Sequence, residues 1–196
     1  MSKTAILILA AGESKRLGSP KQLLSYKESN LLLHTIEQFQ DIQNAHVFVV
    51  LGAYFEDIFP QIRNKSVTVI KNNAWMNGMG SSISKGVELI RKKNLFDRVL
   101  VTLCDLPLVE ASHYQELIDL SISSRKRIVQ TSYEDTSGVP VIFDKSLFNA
   151  LSYLSNDQGA KALIKKYKKE VLKLSSKTPY FDIDTNDAYQ KLLELS

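Results

Sequence analysis

The sequence predicts an α/β protein with a mostly parallel sheet covered by helices on both faces. Three observations lead there. Short apolar runs rich in β-branched residues alternate with stretches whose apolar residues recur at helical spacing. Polar clusters fall just after the predicted strands, where open parallel sheets bind their ligands. No internal repeat, low-complexity segment or Pro/Gly-rich linker interrupts the 196 residues, so a single domain is expected over 1–196.

In chain order, strands are expected at Ile6–Leu9, His46–Leu51, Val67–Ile70, Arg98–Leu103, Ile128–Thr131 and Val139–Phe143. Between them, Leu32, Leu33, Ile36 and Phe39 mark one helix face, opened by Ser29 as its cap. Ile83, Val87 and Ile90 mark a second, and Leu117, Ile118 and Ile122 a third. Leu147, Leu151 and Leu154, then Leu163 and Ile164, continue the helical pattern. Thr185 is placed to cap a last helix running to Leu195.

The first polar cluster follows Leu9 and runs Ala10-Ala11-Gly12-Glu13-Ser14-Lys15-Arg16-Leu17-Gly18, then Ser19-Pro20-Lys21-Gln22. Small residues at Ala10, Ala11 and Gly12 let the backbone approach a ligand. A glycine at positive φ would turn N–H groups inward as an anion cradle. Arg16 and Lys21 add cations for phosphate oxygens. The loop is neither of the two best-known phosphate loops. Gly18 is followed by Ser-Pro-Lys rather than Lys-Ser/Thr, and Gly12 lacks the glycine partners of the dinucleotide fingerprint. On residue types alone, a basic surface turn stays open.

The second cluster is Asn73-Ala74-Trp75-Met76-Asn77-Gly78-Met79-Gly80-Ser81-Ser82, opening a helix: either a ring of donors for a ligand or a capped helix after a turn. The third is Leu103-Cys104-Asp105-Leu106-Pro107. A lone carboxylate after an apolar run is expensive unless satisfied; Mg²⁺ would satisfy it, and an aspartate at a helix N-terminus is the other reading. The fourth is Asp182-Ile183-Asp184-Thr185, two carboxylates alternating on an extended segment, read as metal ligands or as a helix-capping pair. The last comprises Gly138-Val139-Pro140-Val141-Ile142-Phe143 and Asn156-Asp157-Gln158-Gly159-Ala160.

The stretch Leu9–Gly18 followed by Pro20-Lys21 resembles the signature loop of the nucleotidyltransferase superfamily with a GT-A-like fold. Trp75-x-x-Gly78-Met79-Gly80-Ser81-Ser82-Ile83-x-x-Gly86 is similar to a segment of the MobA-like molybdenum cofactor cytidylyltransferases. The resemblance implies a three-layer αβα sandwich, Rossmann-like, of the nucleotide-diphospho-sugar transferase type. It implies Arg16, Lys21 and Asp105 as catalytic residues. It gives Leu9, Ala10, Ala11, Gly12, Ser14, Arg16, Lys21, Gly78, Met79, Gly80, Ser81 and Ser82 to the nucleotide. Asp105 and Asp184, with Asp182 as the second choice at the C-terminal motif, would hold Mg²⁺. Gly138, Pro140, Asp157 and Gly159 would lie near the acceptor. The chain departs from the family at Asn156, where a glycine is usual, and at Lys161, where an arginine is frequent.

The implied reaction moves CMP from CTP to the terminal phosphate of molybdopterin, a phosphorylated pterin, and releases pyrophosphate. Leu-Ala-Ala-Gly rather than Leu-Ala-Gly-Gly at the first loop is the detail that resembles the cytidylyl over the guanylyl branch. A recipient molybdoenzyme or its chaperone is the implied protein partner. The alternatives are a sibling enzyme that uses GTP or a sugar or polyol phosphate, and a pterin-cofactor-binding chaperone without transfer activity.

Composition narrows the class. The net charge of +4 suits phosphate handling and is too small and scattered for nucleic acid. The densest basic patch, Lys165-Lys166-Tyr167-Lys168-Lys169, reads as a solvated helix face. One cysteine, Cys104, excludes a disulfide within the chain and is expected as a buried thiol. There is no apolar run of the ~18 residues needed for a membrane span, and a cytoplasmic protein is expected. His34, His46 and His113 are scattered and carry no metal-ligand spacing.

Overall fold

The computed structural model describes residues 2–155, 157 and 159–195. In chain order the elements are β1 (Thr4–Ala10), a hairpin of β2 (Ser25–Tyr26) and β3 (Ser29–Asn30), α1 (Leu31–Glu37), β4 (Ala45–Leu51), α2 (Phe55–Ile62), β5 (Val67–Lys71), α3 (Met79–Lys93), β6 (Arg98–Leu103), α4 (Ala111–Ser123), β7 (Ile128–Ser132), β8 (Ser137–Asp144), α5 (Phe148–Leu151), α6 (Lys161–Lys166), β9 (Val171–Ser175) and α7 (Asn186–Glu194). Seven strands form one sheet in the order β5-β4-β1-β6-β8-β7-β9. Every pairing is parallel except those of β8, which runs antiparallel to both β6 and β7.

β1 is central, and all seven of its residues are buried. That is why it reads as a continuous apolar run rather than an alternating one. Its side chains still alternate between faces. Ile6, Ile8 and Ala10 pack with residues of α1, α2 and α4, whereas Ala5, Leu7 and Leu9 pack with residues of α3, α5 and α6. The helices thus form two layers around the sheet, as the sequence predicts. In α3, Gly86 permits the close approach: a Cβ there would stand 2.4 Å from Leu7 Cδ1.

A third, smaller cluster joins Leu17, Tyr26, Leu31, Ile183 and Leu192. It ties the end of the first polar loop, the hairpin and the C-terminal segment together. The Ile183 N–H also donates to the Asp105 carbonyl (3.2 Å).

Several local expectations change. Asn30, not Ser29, caps α1, accepting from the Leu33 N–H at 2.9 Å. Ile122 is 52% exposed and leaves the apolar face of α4. The stretch with Leu147, Leu151 and Leu154 yields a single helical turn after a short 3₁₀ segment. The hairpin and β9 were not expected. Thr185 does cap the last helix, accepting from Ala188 N–H at 3.2 Å.

Candidate active site

Four parallel strands deliver the polar clusters to one edge of the sheet. Leu9 pairs with Val50 and with Leu103, so the loops after β1, β4 and β6 leave the sheet side by side. The loops after β1 and β6 enclose a cleft of about 460 Å³ together with the turn after β5 and the start of α3. A topological edge of this kind is where open α/β sheets bind ligands.

The first loop is held from beneath. Gln22, 1% exposed, donates its amide Nε2 to the carbonyls of Ala10 (2.8 Å) and Gly12 (3.1 Å). Ser14 Oγ accepts the Lys21 N–H at 3.2 Å. Positive φ falls at Ser14 (55°) and Gly18 (70°) rather than at Gly12. A Cβ at Gly12 would meet nothing within 4 Å, so the protein's own packing does not demand a glycine there. Gly52, after β4, is essential to the fit of the loop, because a Cβ there would lie 2.6 Å from the Ala11 carbonyl oxygen.

The chemistry-bearing side chains converge at the foot of the cleft. The Lys21 ammonium contacts Asp105 Oδ2 closely and donates to Asp184 Oδ1 at 2.9 Å. Arg16 donates to the other oxygen, Asp184 Oδ2, at 2.5 Å. Burial alone would lower the pKa of Lys21, but the charge of Asp105 and the hydrogen bonds to both carboxylates outweigh it and raise it. Burial pushes the Asp105 carboxyl up, and the nearby Asp184 and Asp182 push it further, against the pull of Lys21. Asp184 lies below the usual carboxylate range because Lys21 and Arg16 outweigh its partial burial. Cys104 is buried and its thiol is pushed up to about 12 by that burial, which leaves it inert as a nucleophile.

Asp105 Oδ1 is buried and has no hydrogen-bond partner. Buried carboxylate oxygens are rarely left so, and a divalent cation is one way to satisfy the atom. Among the described residues no group of three or more His, Cys, Asp or Glu could hold a metal by itself. One or two carboxylates completed by substrate phosphates and water are the usual Mg²⁺ arrangement, and Asp105 with Asp184 fits it.

The second wall is α3 and the turn before it. Gly78 takes φ 87°, and a Cβ on it would collide with Asp157 Oδ1 at 1.9 Å. Ser81 Oγ lies 3.0 Å from the Ala74 carbonyl and 2.8 Å from the Gly78 carbonyl. Buried Asn72 donates to the hydroxyls of Ser81 and Ser82, each at 3.0 Å. The serine hydroxyls therefore brace the turn, and the Ser81 N–H is taken by the Gly78 carbonyl at 3.1 Å, which leaves the N–H groups of Met79 and Gly80 as the donors at the positive end of the α3 dipole.

Of the residues expected at the nucleotide, Leu9, Ala10, Ala11, Gly12, Ser14, Lys21, Gly78, Met79 and Ser82 line this cleft. Gly80 is buried behind it, Ser81 is spent on the turn, and Arg16 stands at its exposed rim. Asp105 lines the floor. Asp184 is joined to that floor through Lys21, whereas Asp182 turns to the Tyr180 hydroxyl, which donates to it at 3.3 Å.

Next to the cleft, sharing Met79 and Leu103 with it, lies a cavity of about 290 Å³. The residues expected near the acceptor divide. Gly138 lines this cavity, but Asp157 lines the first cleft. Pro140 is buried in the sheet, its carbonyl accepting from Thr131 Oγ1 at 2.8 Å. Gly159 packs against Met79, where a Cβ would meet Sδ at 2.9 Å. Asn156, singled out by the sequence, lies outside the described residues. Gln22, Asn72 and Gly52 were missed. Gln22 had a signal, since it directly follows Pro20-Lys21; the other two had none.

Residues 6–171 match the family model of the MobA-like NTP transferase domain. Over 196 aligned residues the chain is 26% identical to the purine catabolism protein PucB of Bacillus subtilis (strain 168), covering 93% of this chain and 92% of that protein. It is 29% identical over 145 residues to a probable molybdenum cofactor guanylyltransferase of Bacillus mycoides (strain KBAB4), covering 72% of this chain and 64% of that one. Among solved structures, Rv0371c of Mycobacterium tuberculosis H37Rv superposes with a TM-score of 0.87 at 27% identity, covering 98% of each chain. A structure of that protein complexed with manganese superposes at 0.83 with 24% identity over 100% of both chains. Among the described residues no helix is long and apolar enough to cross a membrane.

Proposed function

The chain belongs to the MobA-like NTP transferase family, and on that premise we propose that it transfers CMP from CTP to the terminal phosphate of molybdopterin. An acceptor phosphate oxygen attacks the α-phosphorus, the bond to the β-phosphate oxygen breaks, and pyrophosphate leaves. The acceptor is already an anion, so no general base is needed. Catalysis is positioning and charge neutralisation.

The single observation that carries this reading is Lys21 held between Asp105 and Asp184 at the foot of the cleft. Lys21 and Arg16 are the cations that meet the charge growing on the leaving pyrophosphate. The N-terminus of α3 and the backbone of Leu9–Gly12 hold the nucleotide. Asp105 through its unpartnered Oδ1, with Asp184, would hold a divalent cation, taken to be Mg²⁺. When bound, that ion would supply Lewis-acid polarisation of the phosphate oxygens. The acceptor body would sit in the adjoining cavity beside Gly138.

Preference for CTP rests on Ala11, a residue of the cleft lining that carries a methyl where Leu-Ala-Gly-Gly loops have none. The likeness to a probable guanylyltransferase favours GTP as the second reading. Pyrophosphate release from CTP, GTP, ATP and UTP with Mg²⁺, with and without molybdopterin, tests both. Molybdopterin-dependent release from CTP is expected. A clear GTP preference moves the chain to the guanylyl reaction, and pterin binding without release from any triphosphate makes it a carrier. Delivery to a recipient molybdoenzyme or its chaperone follows from the same reading.

A further inference from the structure

The adjoining cavity contains a polar side chain that the protein itself does not use. Gln130 lies in β7, is 8% exposed and stands on the cavity wall. Its side-chain amide makes no hydrogen bond among the described residues. The amide atoms are not among the fully buried unpartnered ones, so they open onto the cavity, where a ligand or water would meet them.

The strand explains the direction. Ile128 packs in the cluster with α3, α5 and α6, and Val129 in the cluster on the other face. Gln130 therefore shares the face of Ile128. The register between β7 and β8 shifts between Gln130 and Thr131, a bulge of the kind that re-aims a side chain near a site. Thr131 is committed elsewhere, with its hydroxyl 2.8 Å from the Pro140 carbonyl and 2.9 Å from His113 Nε2. Met79, Ile83, Val101, Leu103 and Val141 give the cavity an apolar wall, and Thr136, Ser137, Lys161 and Tyr180 also line it. A sugar or polyol seated against the apolar wall would leave hydroxyls unpaired there, whereas a flat ring would not.

An amide offers an N–H donor beside a carbonyl acceptor, and its complement is a ring edge carrying a carbonyl beside an N–H. The geometry points to Gln130 as a specificity-determining residue of the acceptor site, reading such an edge of a planar heterocycle. This inference rests on the adjoining cavity being the acceptor's. A phosphate tethered to a ring seated on Gln130 extends past Met79 and Leu103 toward Asp105.

The test uses the full chain, 6-hydroxymethylpterin as a fluorescent ring probe and glucose 1-phosphate as a ring-free control. Gln130→Leu removes donor and acceptor; Gln130→Glu removes the donor alone and serves if the leucine variant does not fold. The wild-type protein binds the pterin and not the sugar phosphate. The dissociation constant for the pterin rises about tenfold or more in Gln130→Leu and less in Gln130→Glu, while binding of CTP with Mg²⁺ is unchanged. With molybdopterin and CTP, KM for molybdopterin rises and KM for CTP stays. Equal pterin affinity in wild type and variants, or no pterin binding by the wild type, overturns the inference. Gln130-dependent pterin binding without CMP transfer supports it and sinks the proposed reaction. Transfer with an unchanged molybdopterin KM in Gln130→Leu does the reverse.

Discussion

The cleft beyond β1 and the cavity beside it share Met79 and Leu103 but are built from different materials. At the foot of the cleft, Arg16, Lys21, Asp105 and Asp184 hold one another in a chain of ion pairs, and Gln22 and Asn72 pin the loops around them. The cavity has a largely apolar wall that carries the amide of Gln130, with Thr136, Ser137, Lys161 and Tyr180 completing its lining. The difference follows from what each must do. A triphosphate needs fixed dipoles and charges that cost no reorganisation at the moment of reaction. An acceptor needs shape and a few polar groups that tell one ring from another. On the proposed reading, rate is set in the cleft and acceptor choice in the cavity, and perturbing each region should change only its own quantity.

The largest effect is expected from Asp105→Asn. A neutral amide is a poor divalent-cation ligand, and loss of one such electrostatic contact costs ~2.7–4 kcal/mol, or about 10²–10³ in kcat. Pterin binding in the cavity should be untouched. Near-normal turnover at saturating Mg²⁺ would remove Asp105 from the chemistry.

Lys21→Ala comes next, at about 10–10²-fold in kcat, from the ~1.5–3 kcal/mol of hydrogen bonds to charged groups. Steady-state kinetics decide what the ammonium does. A fall in kcat with little change in KM for CTP places its action in the transition state, and a change confined to KM reduces it to ground-state binding. The same variant leaves Asp105 and Asp184 without their shared cation, so half-maximal rate should need less Mg²⁺.

Ala11→Gly probes selectivity inside the cleft. Ala11 is a buried residue of the cleft lining, and its methyl packs beside Gly52. Removing one methyl should narrow the preference for CTP over GTP by ~1–3 kcal/mol at most. The ratio of kcat/KM for the two triphosphates, with molybdopterin as acceptor, measures it. An unchanged ratio would mean that Ala11 does not read the base.

How much of this was legible in the sequence differs between the two regions for the same physical reason. The cleft is made of loops that follow strands, where polar residues with no packing period stand out. Lys21, Asp105 and the Gly78–Ser82 turn could be read from residue type and order. What escaped were polar residues buried by tertiary closure. Asn72 braces serines 9 and 10 residues away, and no local pattern announces that. Asp184 was visible as a carboxylate, but its place depends on Ile183 docking against Leu17 and Leu31 far away in sequence. Gln130 was hidden because it sits inside an apolar strand, where a lone amide reads as an interruption of the core. β9 escaped because only part of it is covered at the sheet edge and a lysine interrupts its apolar residues.

The smallest effect separates the two regions by pH. Asp184 is held below the usual carboxylate range: partial burial pushes its carboxyl up, but Lys21 and Arg16 outweigh that. A carboxyl depressed in the folded state stabilises it above the unfolded pKa of ~3.9, and the stabilisation is lost as pH falls through the folded value. Asp105 works in the opposite direction, since its raised carboxyl takes up a proton more readily when folded. Comparing variants rather than absolute curves isolates one group from the other. The Tm difference between wild type and Asp184→Asn should be largest near neutral pH and shrink below about pH 4. It should also shrink with added salt, because Arg16 is mostly exposed. The amide of Gln130 does not titrate, so Gln130→Leu should shift Tm by the same amount at every pH. A pH-independent difference for Asp184→Asn would mean that its ion pairs contribute nothing to the folded state and that the apolar cluster around Ile183 and Leu192 holds the C-terminal segment in place.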